Sequence, residues 1–333
     1  FREALKSRME KLWNYEKISA PFVEGKYTYF YKNNGLQNQS VLFRKDASGK
    51  EEVFLDPNTF SKDGSTSLAG INFTQDGSLV AYQISEAGSD WRKVIVLNAV
   101  TKEKIGETLV DVKFSGVSWY KNEGFYYSSY DKPTGSELSA KTDQHKLYYH
   151  KLGTSQKEDK VVFGNDLKRR YVGGSVTEDN LYLVISAANA TSSNDLYLVD
   201  LTQPKFEIKA LVDNMTFDYD IVDNRGSKLY VITNNNAPNK KLMIIDANNP
   251  ELSNWLEVIP ETENVLSVST GGNYIFANYM KDAISVVKQY DYDGALITEV
   301  KLPGIETASG FGGKKKEKTL YYTFTNYTTP SSI

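Results

Sequence analysis

The sequence predicts an all-β fold, a seven-bladed β-propeller, because strand-like segments recur along it at a nearly constant interval. Apolar and aromatic segments begin about every 45 residues, and a second series follows each of them at a similar offset. Turn-forming residues, such as Asp76-Gly77, recur ahead of the first series. The first series is Ala81–Ser85, Phe125–Ser129, Leu181–Ile185, Leu229–Thr233, Tyr274–Asn278 and Leu320–Phe324. The second is Val94–Leu97, Leu147–Tyr149, Leu196–Val199, Leu242–Ile245 and Val286–Val287.

One amphipathic helix is predicted ahead of the strands, over Arg2–Tyr15, and it should end before Pro21. Its apolar residues recur at the spacing of one helical face, and they are Leu5, Met9, Leu12 and Trp13. A lone helix before an all-β domain has no helical partner, so this face should cover another surface. We therefore divide the chain into residues 1–20, the helix and linker, and residues 21–333, the propeller.

The first and last blades differ in completeness. The first blade is predicted from Tyr27–Tyr31, Val41–Arg44 and Val53–Leu55. After Phe324 only residues 325–333 remain, so we expect the third and fourth strands of the last blade to be missing. An unfinished blade would expose strand edges, which favours a natural polypeptide that continues past this point.

The largest interval lies in the third blade, where the surplus residues fall in Tyr130–Gln144. This segment is polar and contains Gly and Ser. Extra loop length on one blade is a common place for function in repeat folds.

Composition excludes several functional classes. The net charge is −3 with both signs interspersed, so no nucleic-acid partner is expected. The absence of cysteine excludes a disulfide framework, a zinc–thiolate site and a cysteine nucleophile. No run of 18 apolar residues occurs, so we expect no membrane span and a soluble protein of the cytoplasm or periplasm. The densest basic run, Lys314–Lys318, is predicted to be a solvated hairpin tip.

No catalytic group is visible in the chain. A serine hydrolase needs Ser, His and an acid in contact, usually with a Gly-x-Ser-x-Gly turn in α/β-hydrolases, and that turn is absent. The two histidines, His145 and His150, have an odd spacing that puts them on opposite faces of a strand. The acidic residues Asp218, Asp220 and Asp223 lack EF-hand spacing and are interpreted as polar turn residues. We predict no catalytic residue, metal site or cofactor, which favours a binding or gating module.

Several segments, in order along essentially the whole chain, resemble the propeller region of the prolyl oligopeptidase family. They are Arg8–Tyr15 with Pro21-Phe22, Tyr29–Tyr31 with Asn34–Gln39, Phe54–Asn58, Gly88–Trp91, and Leu147–His150 with Leu152–Thr154. The resemblance implies a propeller that caps an α/β-hydrolase domain and admits short peptides, which are cut after proline. The catalytic Ser, Asp and His would then lie in that following domain, so this chain alone should be inactive.

The resemblance also implies partners and one substrate-binding residue. The chain would be part of a monomeric serine endopeptidase, and the helix face of Leu5, Met9, Leu12 and Trp13 would pack on the hydrolase domain. Phe163, in Val161-Val162-Phe163, would form an apolar wall beside the substrate residue two positions before the proline; alternatively it is a blade-core residue. A stand-alone propeller that binds protein or glycan is the second hypothesis.

Overall fold

The structure is a computed structural model that describes residues 1–132 and 142–333. It has one α-helix, α1 (Arg2–Trp13), followed by strands in seven sheets that follow one another along the chain. This arrangement is a seven-bladed β-propeller with a helix at its N-terminus, which confirms the predicted fold class. Most of the extended segment Tyr130–Gln144 lies outside the described residues, so its predicted role stays a prediction.

The strands of each sheet are consecutive and pair antiparallel, as β3 does with β4 and β7 with β8. The first sheet holds β1 (Lys17–Ile18), β2 (Phe22–Glu24), β3 (Tyr27–Asn33), β4 (Val41–Lys45) and β5 (Glu51–Leu55). The second holds β6 (Thr66–Phe73), β7 (Leu79–Glu86), β8 (Trp91–Asn98) and β9 (Lys104–Lys113). The third holds β10 (Ser118–Tyr120), β11 (Gly124–Tyr130), β12 (His145–Lys151) and β13 (Lys160–Phe163).

The remaining four sheets repeat the pattern. The fourth holds β14 (Tyr171–Val176), β15 (Tyr182–Ala188), β16 (Asp195–Asp200) and β17 (Ile208–Val212). The fifth holds β18 (Tyr219–Arg225), β19 (Lys228–Thr233), β20 (Lys241–Asp246) and β21 (Leu256–Ile259). The sixth holds β22 (Val265–Gly271), β23 (Tyr274–Lys281), β24 (Ile284–Tyr290) and β25 (Leu296–Glu299). The seventh holds β26 (Thr307–Gly310), β27 (Tyr322–Asn326) and β28 (Thr329–Ser332).

The last blade corrects one expectation, because its third strand is present. Strand β28 pairs with β27 through Phe324↔Ser332 and Asn326↔Thr329, with an irregularity between these pairs. The segment escaped detection because it is polar and contains Pro330, and prolines are confined to strand edges and bulges. Among the described residues this sheet has three strands.

The chain forms two compact units, and the first contains Phe1–Lys132 and Tyr148–Val162. Its sheets pack face to face through two apolar clusters. One cluster joins the first and second sheets around the fully buried ring of Tyr29, which lies 5.1 Å from the ring of Phe54 and 4.7 Å from that of Phe73. The other cluster joins the second and third sheets around Trp119 and Phe125. Burial of these apolar clusters stabilises the packing of the three sheets.

The described residues of the second unit are 142–147 and 163–333. Three further clusters pack its consecutive sheets against one another. The first strands of these sheets, β14, β18 and β22, are less buried than the second strands, and they carry the polar groups described below.

Candidate functional site

The apolar face of α1 is exposed to solvent in the described chain. Leu5, Met9, Leu12 and Trp13 are 48%, 61%, 59% and 64% exposed, and no residue of the helix is buried. The helix ends as predicted, well before Pro21, and Lys17 Nζ donates to the carbonyl of Trp13 and lies 4.8 Å from its ring. Four clustered apolar side chains in water are unfavourable by about 25 cal/mol per Å² of apolar area. The helix therefore presents a surface suited to docking against another apolar surface.

Phe163 ends strand β13 and is half-buried against the fourth sheet. Its ring lies 4.9 Å from the ring of Tyr197, and burial raises the pKa of the Tyr197 hydroxyl. The Tyr197 hydroxyl lies 3.5 Å from Asp195, which is completely buried. The Arg169 guanidinium binds the same carboxylate oxygen through Nε at 2.9 Å and through its terminal nitrogen at 2.8 Å.

Tyr197 and the ion pair of Arg169 with Asp195 lie behind the Phe163 ring. A buried carboxylate needs pairing and hydrogen bonds, and Arg169 supplies both to Oδ2 of Asp195, whereas Oδ1 is buried without a hydrogen-bond partner. The outer part of the ring remains accessible because Phe163 is only half-buried. The geometry thus offers an apolar surface for a ligand, and the aromatic stack also contributes to packing, so it fits both sequence hypotheses for this residue.

Both histidines are buried and are used as hydrogen-bonding groups of the framework. The backbone N–H of Val172 donates to Nδ1 of His145 at 2.9 Å, which fixes the proton of this neutral ring on Nε2. Nδ1 of His150 lies 2.8 Å from Asp159, whose other oxygen accepts from the Tyr127 hydroxyl at 2.8 Å. Both histidines lie in β12 and serve there as hydrogen-bonding partners of neighbouring groups.

The second unit contains a cavity of about 300 Å³, lined mainly by β14, β18 and the β14–β15 connection. Its polar lining includes Ser175, Glu178, Asp220, Asp223, Asn224 and Thr270. The prediction of turn positions is wrong for Asp220 and Asp223, which lie within β18. Asp220 is exposed to solvent, but partial desolvation by the surrounding protein raises the pKa of its carboxyl group, and the charge of Lys240 offsets part of this rise. The described residues contain no cluster of three or more His, Asp or Glu side chains suited to a metal.

The basic run corrects a third expectation, because Lys315 is not a solvated tip residue. Its ammonium lies 2.6 Å from Asp223 Oδ1, and the two side chains are only 24% and 7% exposed. Its backbone N–H lies 3.2 Å from the Glu178 carboxylate, which accepts a hydrogen bond. The partners are 137 residues apart, so no local sequence pattern could have indicated this contact. Lys316 in the same run is exposed, as predicted.

The seven consecutive antiparallel sheets define the class as a β-propeller domain. The family model described as "Prolyl oligopeptidase, N-terminal beta-propeller domain" matches residues 1–333, and the chain belongs to this family. A prolyl endopeptidase of Elizabethkingia meningoseptica is 56% identical over 335 residues, which cover 100% of this chain and 47% of the relative.

Solved structures agree with the family assignment. A structure from a study of two prolyl endopeptidases matches with a TM-score of 0.88 and 33% identity, over 99% of this chain and 48% of that chain. Prolyl oligopeptidase B from Galerina marginata, bound to a 35mer hydrolysis and macrocyclization substrate, matches with a TM-score of 0.90 and 27% identity, over 99% and 49% of the two chains. The chain thus spans about half the length of the relatives it matches.

No helix in the described part of the chain is long and apolar enough to cross a membrane.

Proposed function

We propose that this chain is the substrate-gating propeller of a prolyl oligopeptidase-type serine endopeptidase that cleaves short peptides after proline. Family membership over residues 1–333 carries the proposal, and the names of the relatives support the reaction. The catalytic Ser, Asp and His belong to a C-terminal hydrolase domain, so the chain alone hydrolyses no peptide. One copy of the propeller serves one hydrolase domain in a monomeric enzyme.

The apolar face of α1 is the proposed contact with that hydrolase domain. Its four apolar side chains are all more than 40% exposed, and the face has no cover within the described chain. The charged pair Lys6 and Glu10 lies 3.8 Å apart on the same helix and provides a control. Replacing Met9 and Leu12 with Ser should weaken association of the separately expressed domains at least about ten-fold, while Lys6→Ser should leave it unchanged. Equal affinities for all three proteins would contradict the docking role.

Phe163 is the proposed apolar wall beside the substrate residue two positions before the proline. In the whole enzyme, Phe163→Ala should raise KM for peptides with a bulky apolar residue at that position several-fold. KM for a peptide with glycine there should stay unchanged, because no contact is lost. If Phe163 has only a structural role, Phe163→Ala should instead lower the melting temperature and change KM equally for both peptides.

Gating itself is tested by peptide length. The whole enzyme and its hydrolase domain alone should be compared on proline-containing peptides of about 5, 15, 30 and 60 residues. The proposal predicts that kcat/KM of the whole enzyme falls steeply with length, whereas the hydrolase domain shows no such fall. Equal length dependence of the two proteins would rule out a gating role. If the separate hydrolase domain is inactive, the whole enzyme with Met9 and Leu12 replaced by Ser takes its place in this comparison. These substitutions should weaken the contact between the propeller and the hydrolase domain.

A further inference from the structure

The backbone that carries Phe163 is held by a glycine turn. Phe163 is the last residue of β13, and Gly164 follows it with φ +97°. A Cβ on Gly164 would lie only 2.5 Å from the carbonyl oxygen of His145, so the chain passes His145 too closely for a side chain there. Gln144 Nε2 donates to the carbonyls of Gly164 and Asn165, both at 2.9 Å. The point from which the Phe163 side chain leaves the backbone is therefore well defined.

The ring of Phe163 is held from the other side by Tyr197. The two ring centroids are 4.9 Å apart, and the ring planes are inclined by 52°. Tyr197 is 9% exposed, and its strand β16 pairs with β15 on one side and with β17 on the other. A residue in the middle of a sheet cannot shift its backbone, and packed side chains leave little free space between them. The Phe163 ring therefore cannot withdraw toward the fourth sheet while Tyr197 is in place.

The ring of Tyr197, more than its hydroxyl, supplies this support. The hydroxyl lies 3.5 Å from Asp195 Oδ2, which is long for a hydrogen bond. The same oxygen already accepts from Arg169 at 2.9 Å and 2.8 Å, so its pairing does not depend on Tyr197. Phenylalanine at position 197 should therefore keep the contact with Phe163, and Tyr197→Phe is a matched control.

The two rings differ in what a ligand can reach. Phe163 is half-buried, whereas Tyr197 is buried behind it. A peptide can thus contact the Phe163 ring without contacting Tyr197. An effect of Tyr197 on peptide binding would have to pass through the position of the Phe163 ring.

We propose that Tyr197 is a positioning residue that sets how far the Phe163 ring reaches toward the substrate. It thereby sets the size of the side chain accepted two positions before the proline. A smaller residue at position 197 leaves space into which the Phe163 ring withdraws, and a larger one pushes the ring forward. This inference rests on the proposed contact of Phe163 with the substrate.

The test measures size preference in the whole enzyme. Two peptides carry tryptophan or leucine two positions before the proline, and the readout is the ratio of their kcat/KM values. Tyr197→Val, which keeps a strand-forming residue, should raise the ratio of tryptophan to leucine at least about five-fold, since added space favours the larger side chain. Tyr197→Trp should lower the same ratio, and Tyr197→Phe should leave it unchanged. A residue with a structural role alone would lower the melting temperature without shifting the ratio in opposite directions.

Phe163→Ala completes a double-mutant cycle. Adding Tyr197→Val to Phe163→Ala should change the ratio no further, because the ring that Tyr197 positions is gone. A ratio equal to that of the parent in the folded Val and Trp variants would overturn the inference. The proposed substrate contact would survive that result if Phe163→Ala still raised KM for bulky peptides alone.

Two other results also count against the inference. A shift of equal size with and without Phe163 would overturn it, because Tyr197 would then act by another route. Equal effects of Phe163→Ala on bulky and glycine peptides would overturn both the substrate contact and this inference. Melting temperatures identify variants that do not fold, and Tyr197→Trp provides the test with the opposite sign if Tyr197→Val is unfolded.

Discussion

Arg44→Met tests how a buried arginine joins the first two sheets. The Arg44 side chain is 5% exposed, and its guanidinium donates to the carbonyls of Ala99 and Val100, the latter at 3.0 Å. It also contacts the Glu52 carboxylate at 2.5 Å and lies 4.2 Å from the Tyr27 ring. Methionine fills much of the same volume but donates no hydrogen bond, so the carbonyl of the fully buried Ala99 loses its hydrogen-bond donor.

The magnitude follows from these partners. The charge-assisted hydrogen bond to the carbonyl of the buried Ala99 contributes about 1.5–3 kcal/mol, and the bond to the carbonyl of the exposed Val100 contributes less, so Arg44→Met should lower the free energy of unfolding by about 2–4 kcal/mol. The Glu52 side chain is 42% exposed, so the ion pair itself should contribute only about 0–1 kcal/mol, and Glu52→Gln should change stability little. Urea unfolding of the three proteins, followed by tryptophan fluorescence, measures both values. A Glu52→Gln cost as large as that of Arg44→Met would refute this reasoning.

Three further predictions concern the same chain. Gly77→Ala should lower the free energy of unfolding, measured with urea, by about 3 kcal/mol or more, because φ is +69° and the new Cβ would collide with the Gly25 backbone. Gly88 also has a positive φ, +74°, but its Cβ would enter open space, so Gly88→Ala should lower it by only about 1 kcal/mol. Tyr127→Phe removes the hydrogen bond to Asp159 and should cost about 1–2 kcal/mol; no change would contradict its role. Asp220→Asn should raise the melting temperature slightly at pH 7, because the folded state raises the pKa of Asp220 and so disfavours its charged form, while solvent at the exposed carboxylate keeps the effect small. This gain should vanish below about pH 3.9, the pKa of an unfolded Asp, and a gain that persists there would contradict it.

The sequence indicated the second and third strands of the blades because their burial imposes an apolar pattern. All seven residues of β11 are buried, as are five of the six residues of β16. These strands lie between neighbouring strands of a sheet and between packed faces, so apolar residues fill both sides. The predicted segments Phe125–Ser129 and Leu196–Val199 fall inside them.

The strands at the sheet margins carry a weaker signal. All four residues of β25 are exposed, and β10 has only three residues. An exposed or very short strand needs no alternation of apolar and polar residues, so periodicity could not define it. The same reason explains why β28 was missed.

The candidate site was predictable only where a local pattern existed. The apolar stripe of α1 has helical spacing and was found, and the structure leaves it uncovered. The contact of Phe163 with Tyr197, and that of Lys315 with Asp223, join residues far apart in the chain. Such pairs depend on how the sheets are arranged, and the residues themselves show no spacing that would indicate them.

The central claim, that the catalytic serine lies outside this chain, is tested most directly by labelling the whole gene product with a fluorophosphonate, which reacts with activated serines. The labelled peptide is then located by mass spectrometry. The proposal predicts a single labelled serine beyond residue 333 and no labelling of residues 1–333. A labelled serine within residues 1–333 would contradict it, and a gene product with no reactive serine would instead favour the stand-alone binding propeller.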